Sequence, residues 1–315
     1  MKFNFIKTIL RKLLPYSFFC FIRISYKGLL KKHIKQKKQS KIDRKLKASD
    51  IPVYLSIVAI VKNEVQYIAE WIEYHLLIGV QKFFIYDNES SDNLKNYLVP
   101  YINEGIVEYI FFPGKRQQVN AYNDAILKFK LKSFWLAFID IDEFFVPVST
   151  TNLCDFLFGF EDIPGIEINQ LVYGSNGHKT KENGLVIERF KNHSFNNDVT
   201  NRLVKSIVNP RRIFFIKSAH EAEYFISESS VNSHKNKNKT NWAKRHALHD
   251  KLYYNHYRCK SLEEFVSRID LGRASSQGKL SPEIFERRDR NDIKNDPVMD
   301  KYIPIVKEQL IKRGF

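Results

Sequence analysis

The residues best suited to chemistry lie in FIDIDEFFVP (138–147), where Asp140, Asp142 and Glu143 close an oily run. Side chains on a strand alternate faces, so residues i and i+2 point the same way. On that reading Asp140 and Asp142 project together. Two unpaired carboxylates so placed repel, and one is driven toward protonation. A divalent cation removes the conflict. Hard oxygen ligands suit Mg2+ or Mn2+, which commonly bind through one or two carboxylates plus substrate phosphates. The spacing points to a metal–diphosphate site, although a solvated strand end with a capping Asp would look the same. A rival chemistry is the aspartyl-phosphate phosphatase, in which the first Asp of a DxD is the nucleophile. That motif normally sits on the first strand of its domain and continues with Thr or Val; here it sits on the fourth and continues with Glu143.

The elements that must carry these acids are legible upstream. YLSIVAIVKNE (54–64) is an apolar, β-branched run without alternation, as in a strand covered on both faces. Residues 65–79 follow at helical spacing, with Ile68, Ile72, His75 and Leu76 on one face and Gly79 as the stop. QKFFIYDNESSDN (81–93) reads as a second strand, the next segment as a helix broken by Pro100, and 107–113 as a third strand. Residues 117–130 read as a helix and SFWLAFIDIDEFFVP as one fourth strand. Strands alternating with helices predict a parallel, doubly wound sheet, whose ligands sit beyond the carboxyl ends of its strands. Lys62–Glu64, Asp87–Asp92 and Asp140–Glu143 all fall at such ends.

These residues resemble a known family. VKNE (61–64), YDNESSDN (86–93), NAYNDA (120–125) and FIDIDEFFVP are similar to the start of family-2-like nucleotide-sugar glycosyltransferases of the GT-A fold. The likeness to family 92 type glycosyltransferases is closer and continues through 171–190, 204–223, 253–272 and 295–304. The resemblance implies a GT-A-like (Rossmann-like) α/β fold, a mostly parallel sheet flanked by helices. It implies transfer of a sugar from a nucleotide-diphosphate sugar to a glycan or glycolipid acceptor. It places Lys62 and Asn63 beside the nucleotide, Asp87 on the base or ribose, Asp140 on ribose or metal, Asp142 on the metal, and His256 as a third metal ligand. A neutral imidazole suits Mn2+; a satisfied core histidine beside Tyr254 and Tyr257 is the plainer reading. For the base that deprotonates the acceptor in an inverting transfer, it points to His220, Glu221 and Glu223, with Glu143 a further candidate. Lys205, Arg202 and Arg211 are candidate phosphate partners or a solvated face. The turn 174–178 falls near the acceptor by resemblance, and the basic stretch 233–247 reads as a mobile loop. Ser261 and Glu264 fit a capping box, and a helical tail follows.

Charge separates the ends. Residues 1–50 hold 15 Lys/Arg against 2 Asp/Glu, or +13 of the formal +16. The basic signal belongs to a tail, so nucleic acid is not the expected partner of the body. Residues 3–14 place Phe3, Ile6, Ile9, Leu10, Leu13 and Leu14 opposite Lys7, Arg11 and Lys12, the pattern of a helix lying in a membrane interface. The apolar run before Arg23 is too short to span a bilayer. Residues 1–47 are thus expected on an anionic membrane surface, placing the protein peripherally on the inner, cytoplasmic face of the cell membrane. Cys20, Cys154 and Cys259 show no disulfide or zinc spacing. The organisation expected is 1–50 tail and linker, 51–260 transferase (51–150 nucleotide half, 151–260 acceptor half), and 261–315 helical extension. A binding module with a vestigial site is the non-enzyme alternative.

Overall fold

The computed structural model describes Asp43, residues 45–225, 227–238, Ala243, 245–271 and 282–315. The amphipathic stretch 3–14, the following apolar run and much of the basic linker lie outside the described residues, as does part of 233–247. Among the described residues no helix is long and apolar enough to cross a membrane.

Among the described residues eight strands form one sheet. In chain order they are β1 (Val53–Val61), β2 (Lys82–Asp87), β3 (Val107–Phe111), β4 (Ser133–Phe138), β5 (Glu143–Pro147), β6 (Gly165–Val172), β7 (Val204–Val208) and β10 (Leu252–His256). A separate two-stranded ribbon holds β8 (Ile213–Ile216) and β9 (Ala222–Tyr224). The spatial order is β3-β2-β1-β4-β7-β6-β10-β5. The first four strands pair in parallel, as the alternation of strands and helices predicts. Beyond β4 the pattern changes: β7 runs antiparallel to β4 and β6, β10 parallel to β6, and β5 antiparallel to β10.

Helix α1 (Val65–Leu77) buries Ile68, Ile72 and His75, and Gly79 follows at φ 98°. Helices α2 (Leu94–Tyr97) and α3 (Val99–Asn103) are divided at the expected place, with Pro100 in the first turn of the second. Helix α4 is Gln118–Phe129 and α5 Leu153–Phe158. The short α6 (Val186–Arg189) is followed by α7 (Leu262–Leu271), α8 (Pro282–Arg288) and α9 (Ile303–Arg313). The capping box at α7 is made: Glu264 N donates to Ser261 Oγ at 3.2 Å and Ser261 N to Glu264 Oε2 at 3.0 Å.

One expected strand is two. FIDIDEFFVP leaves β4 at Phe138, turns through 139–142, and re-enters the sheet at Glu143 on its far edge. Four strand spacings of about 4.8 Å separate those places in a flat sheet, roughly the limit of five fully extended residue steps. The link is not extended, because Glu143 N donates to Asp140 O at 3.1 Å. The sheet must therefore curl until β5 stands near β4. That curl brings the ends of β4 and β10 and the starts of β5 and β7 to one rim.

Candidate active site

At that rim lies a cavity of about 390 Å³. Lys62, Asn63 and Glu64 enter it from the end of β1, Gln118 from α4, and Asp140–Glu143 from the turn. Leu203, Ala219 and His220 line another side, and His256, Arg258, Arg268 and Arg288 close it.

Asp140 and Asp142 share the cavity but not a strand, so the face-sharing argument does not apply. Asp140 is a third exposed and already held: Gln118 Nε2 donates to Oδ1 and Lys205 Nζ to Oδ2, each at 2.8 Å. Asp142 is nearly buried; Arg268 donates to its Oδ2 at 2.9 Å, and His256 Nε2 stands 3.7 Å from the same oxygen. Burial alone would raise the Asp142 carboxyl, but Arg268, then His256, outweighs it and holds the group well below its ordinary value. Its backbone oxygen accepts from Tyr257 N at 2.8 Å, which ties the turn to the end of β10.

Glu143 has a structural task. Its side chain is 1% exposed; Oε2 accepts from Asp140 N at 2.9 Å and pairs with Lys205 Nζ at 3.0 Å. The fully buried Lys205 thereby clamps both ends of the turn. Burial pushes the Glu143 carboxyl up to about 8 against the opposing pull of Lys205. A buried acid so held shapes the turn rather than reaching a substrate hydroxyl.

The expected metal set of Asp140, Asp142 and His256 is only partly assembled. Among the described residues no three His, Cys, Asp or Glu side chains are grouped to hold a metal ion. Asp140 has both oxygens held, by Gln118 and Lys205, whereas among the described residues Asp142 is held only at Oδ2, by Arg268. Asp142 and His256 remain. His256 Nδ1 meets Gln170 Oε1 at 2.8 Å; the amide oxygen can only accept, so Nδ1 carries the proton and the Nε2 lone pair faces Asp142. Burial lowers the His256 pKa, so the ring is neutral at pH 7. The lone pair stands 3.7 Å from the carboxylate oxygen, whose positive partner in this structure is Arg268. The orienting Gln170 is the outer partner a ligating histidine usually has. The pair offers one carboxylate oxygen and one imidazole nitrogen, donors of the kinds that Mn2+ accepts.

Other expected residues fall elsewhere. Asn63 N donates to Ser90 Oγ at 3.0 Å and Ser91 N to Asn63 Oδ1 at 2.7 Å, so Asn63 stitches the end of β1 to the turn after β2. Asp87 serves that turn, accepting from Ser90 N at 2.9 Å and Tyr109 OH at 2.5 Å, and does not line the cavity. Glu221 lies outside it too, 3.6 Å from Lys217 on the ribbon, and Glu223 is on β9. His220 does line it: Nδ1 meets the Val204 carbonyl at 2.9 Å, which assigns the proton to Nδ1 and the lone pair to Nε2. Burial, then Lys205, lowers its pKa to about 4. Arg211 is spent on the carbonyls of Lys130, Ser133 and Phe134, and Arg202 on that of Ala243. The 174–178 turn is pinned to the tail: Ser175 N and Oγ donate to Asp289, and a Cβ on Gly174 would collide with the Arg290 carbonyl.

The sequence profile of glycosyltransferase family 92 matches residues 53–287, a span that contains every one of these cavity residues except Arg288. The chain belongs to glycosyltransferase family 92. A family 92 protein of Oryza sativa subsp. japonica is 31% identical over 114 residues, 36% of this chain and 19% of its own length. One from Ricinus communis is 30% identical over 105 residues, 33% of this chain and 19% of its own. The chain thus spans about a fifth of the length of the curated relatives it matches. Among solved structures, Staphylococcus aureus TarS (residues 1–349) is 11% identical with a TM-score of 0.33, covering 50% of this chain and 47% of that one. Glucosyl-3-phosphoglycerate synthase from Mycobacterium tuberculosis is 17% identical with a TM-score of 0.26, covering 38% and 44%.

In this family 92 protein the residues that sequence reasoning missed are Gln118, Gln170, Arg258, Arg268 and Arg288. Arg258 carried a signal, since it lies two residues past His256. Arg268 and Arg288 carried none, because only the folding of α7 and α8 over the rim brings them in.

Proposed function

We propose that the cavity transfers a sugar from a nucleotide-diphosphate sugar to a hydroxyl of a glycan or glycolipid, with inversion and with a divalent cation, Mn2+ or Mg2+. The observation that carries this reading is Asp142 Oδ2 and His256 Nε2 facing each other at 3.7 Å beside Lys62 and Asn63, within the family-matched region. Asp142 and His256 would hold the cation, which when bound supplies charge stabilisation to the donor diphosphate. Lys62 and Asn63 stand where the nucleotide enters. Lys205 and Glu143 keep the Asp140–Asp142 turn in shape, and Asp140 offers its exposed side to the donor ribose.

His220 is the base in this reading. Its Nδ1 proton is directed at the Val204 carbonyl, so the proton of the acceptor hydroxyl passes to Nε2. A base with a pKa near 4 is neutral across the physiological range. Activity should then hold as pH falls through 6 and decline only near 4, where the imidazole takes up its proton. An acid limb at about 6.5 that vanishes in His220→Asn would contradict the low value.

A bacterial surface polysaccharide or lipooligosaccharide is the acceptor class favoured by analogy. Residues 1–47, rich in Lys and Arg, would hold the protein to the inner face of the membrane, by on the order of 1 kcal/mol per basic residue near the surface. A truncated chain beginning at residue 48 should leave the membrane fraction; if it still sediments with membranes, the tail is not the anchor. The decisive experiment is Asp142→Asn assayed with a panel of nucleotide-diphosphate sugars and Mn2+. Turnover should fall by roughly a hundredfold or more with the fold intact by circular dichroism. Wild-type rates in that variant would sink the metal assignment.

A further inference from the structure

Among the described residues three guanidinium groups line the cavity, and they are not partnered alike. Arg268 is committed to acids: NH1 lies 2.9 Å from Asp142 Oδ2, and Nε lies 4.0 Å from Glu64 Oε1. Arg258 and Arg288 have no carboxylate within 4.0 Å among the described residues. The Nε of Arg258 is buried without a hydrogen-bond partner there. Arg288 lines the same cavity, so two guanidinium charges without nearby acids face one solvent space. Both remain charged, since arginine does not lose its proton in proteins.

Two like charges at a cavity wall, one partly desolvated, cost folding free energy. Such an arrangement persists where it serves an anion. Its position says which. Arg258 follows the candidate ligand His256 by two residues, and Tyr257 between them donates to the Asp142 carbonyl. Arg268 NH1 also donates to the Arg258 carbonyl at 3.3 Å, which ties Arg268 to the backbone just past Tyr257. Planar guanidinium forks match phosphate oxygens two bonds at a time.

Taking the transferase reading as given, we infer that Arg258 and Arg288, with Arg268 beside them, clamp the diphosphate and stabilise it as a leaving group. During transfer a bond forms between the acceptor oxygen and the anomeric carbon. The bond from that carbon to the terminal phosphate oxygen breaks, its electron pair stays on the phosphate, and the acceptor proton goes to the base. The diphosphate leaves with one more negative charge than it brought. Fixed cations aimed at that charge act most in the transition state.

The test uses inorganic pyrophosphate as the probe and the full chain in EDTA. Pyrophosphate should raise the melting temperature of the wild-type protein. Arg258→Gln and Arg288→Gln should each bind it at least about tenfold more weakly. Without ligand, Arg258→Gln should melt no lower than wild type, because one of two like charges is gone; a purely structural arginine would destabilise when removed. Should Arg258→Gln not fold, Arg288→Gln gives the same reading from the other side of the pair. In turnover assays kcat should fall by a larger factor than donor KM rises. Wild-type pyrophosphate affinity in both variants would overturn the clamp. Sugar transfer by the wild type with that result would leave the transferase standing without it. Arginine-dependent pyrophosphate binding with no transfer from any nucleotide sugar would leave the clamp and remove the transferase reading.

Discussion

Helix α7 carries two charged side chains one turn apart, and their surroundings differ. Glu264 faces inward to Arg189, which meets it with two parallel bonds at 3.0 and 2.9 Å. Tyr67 OH at 2.7 Å and Ser261 Oγ at 2.6 Å complete its shell, and both partners of the pair are almost fully buried. Arg268 faces the cavity, reaches Asp142 by one nitrogen, and is about a quarter exposed. A fully satisfied buried pair belongs to the scaffold, because removing either partner strands a charge. A singly bonded pair at a cavity wall can exchange partners, because water or a ligand replaces what is lost. The same helix thus pins the fold through one side chain and serves the site through another.

The comparison can be broken most directly at Arg189. Arg189→Met should cost about 3–5 kcal/mol of stability by leaving Glu264 buried and unpaired. Chemical denaturation would read it, and a loss below about 1 kcal/mol would mean that the inner pair is not part of the scaffold. Acid gives a second view. Burial would raise the Glu264 carboxyl, but Arg189, Ser261 and Tyr67 together bring it down to about 2, against an ordinary value near 4.3. A depressed carboxyl contributes stability that is complete above the unfolded value and fades as pH falls through the folded one. The stability gap between wild type and Glu264→Gln should therefore narrow between pH 4.3 and about 2; a constant gap would refute the assignment. Arg268→Gln should be milder, at most about 1–2 kcal/mol, since Arg268 is itself about a quarter exposed and its removal opens Asp142 to cavity water. A loss equal to that of Arg189→Met would erase the distinction between the two faces. Glu221→Gln should change kcat/KM by less than about twofold, as expected of a surface acid outside the cavity. A hundredfold loss there would restore Glu221 as the base and displace His220.

The two halves of the sheet were unequally legible. β1 to β4 could be read because each is a short apolar run set off by a helical segment, a pattern that local periodicity carries. The division of FIDIDEFFVP into β4, a turn and β5 could not, because the run stays apolar on both sides of the acids and β5 owes its place to β10. The motif suggested a shared strand face for Asp140 and Asp142; the turn instead sends them to Lys205 and Arg268. Of the residues the sequence points to, His220 and His256 stand in the cavity, whereas Asp87 and Glu221 belong to its surroundings.

By itself the sequence determined which chemistry was available. It set acids at the end of a buried run, a histidine downstream, parallel strands at the start, a capped helix near residue 261, and a basic tail set apart from a near-neutral body. These are properties of neighbours along the chain, decided by periodicity and local hydrogen bonding. Only the tertiary structure decided which acid each cation neutralises. Lys205 lies 65 positions from Asp140 and Arg268 lies 126 from Asp142, and partners so distant are chosen by the curl of the sheet and the packing of α7. That choice leaves Asp142 and His256 facing each other, and Arg258 and Arg288 without acids within 4.0 Å among the described residues.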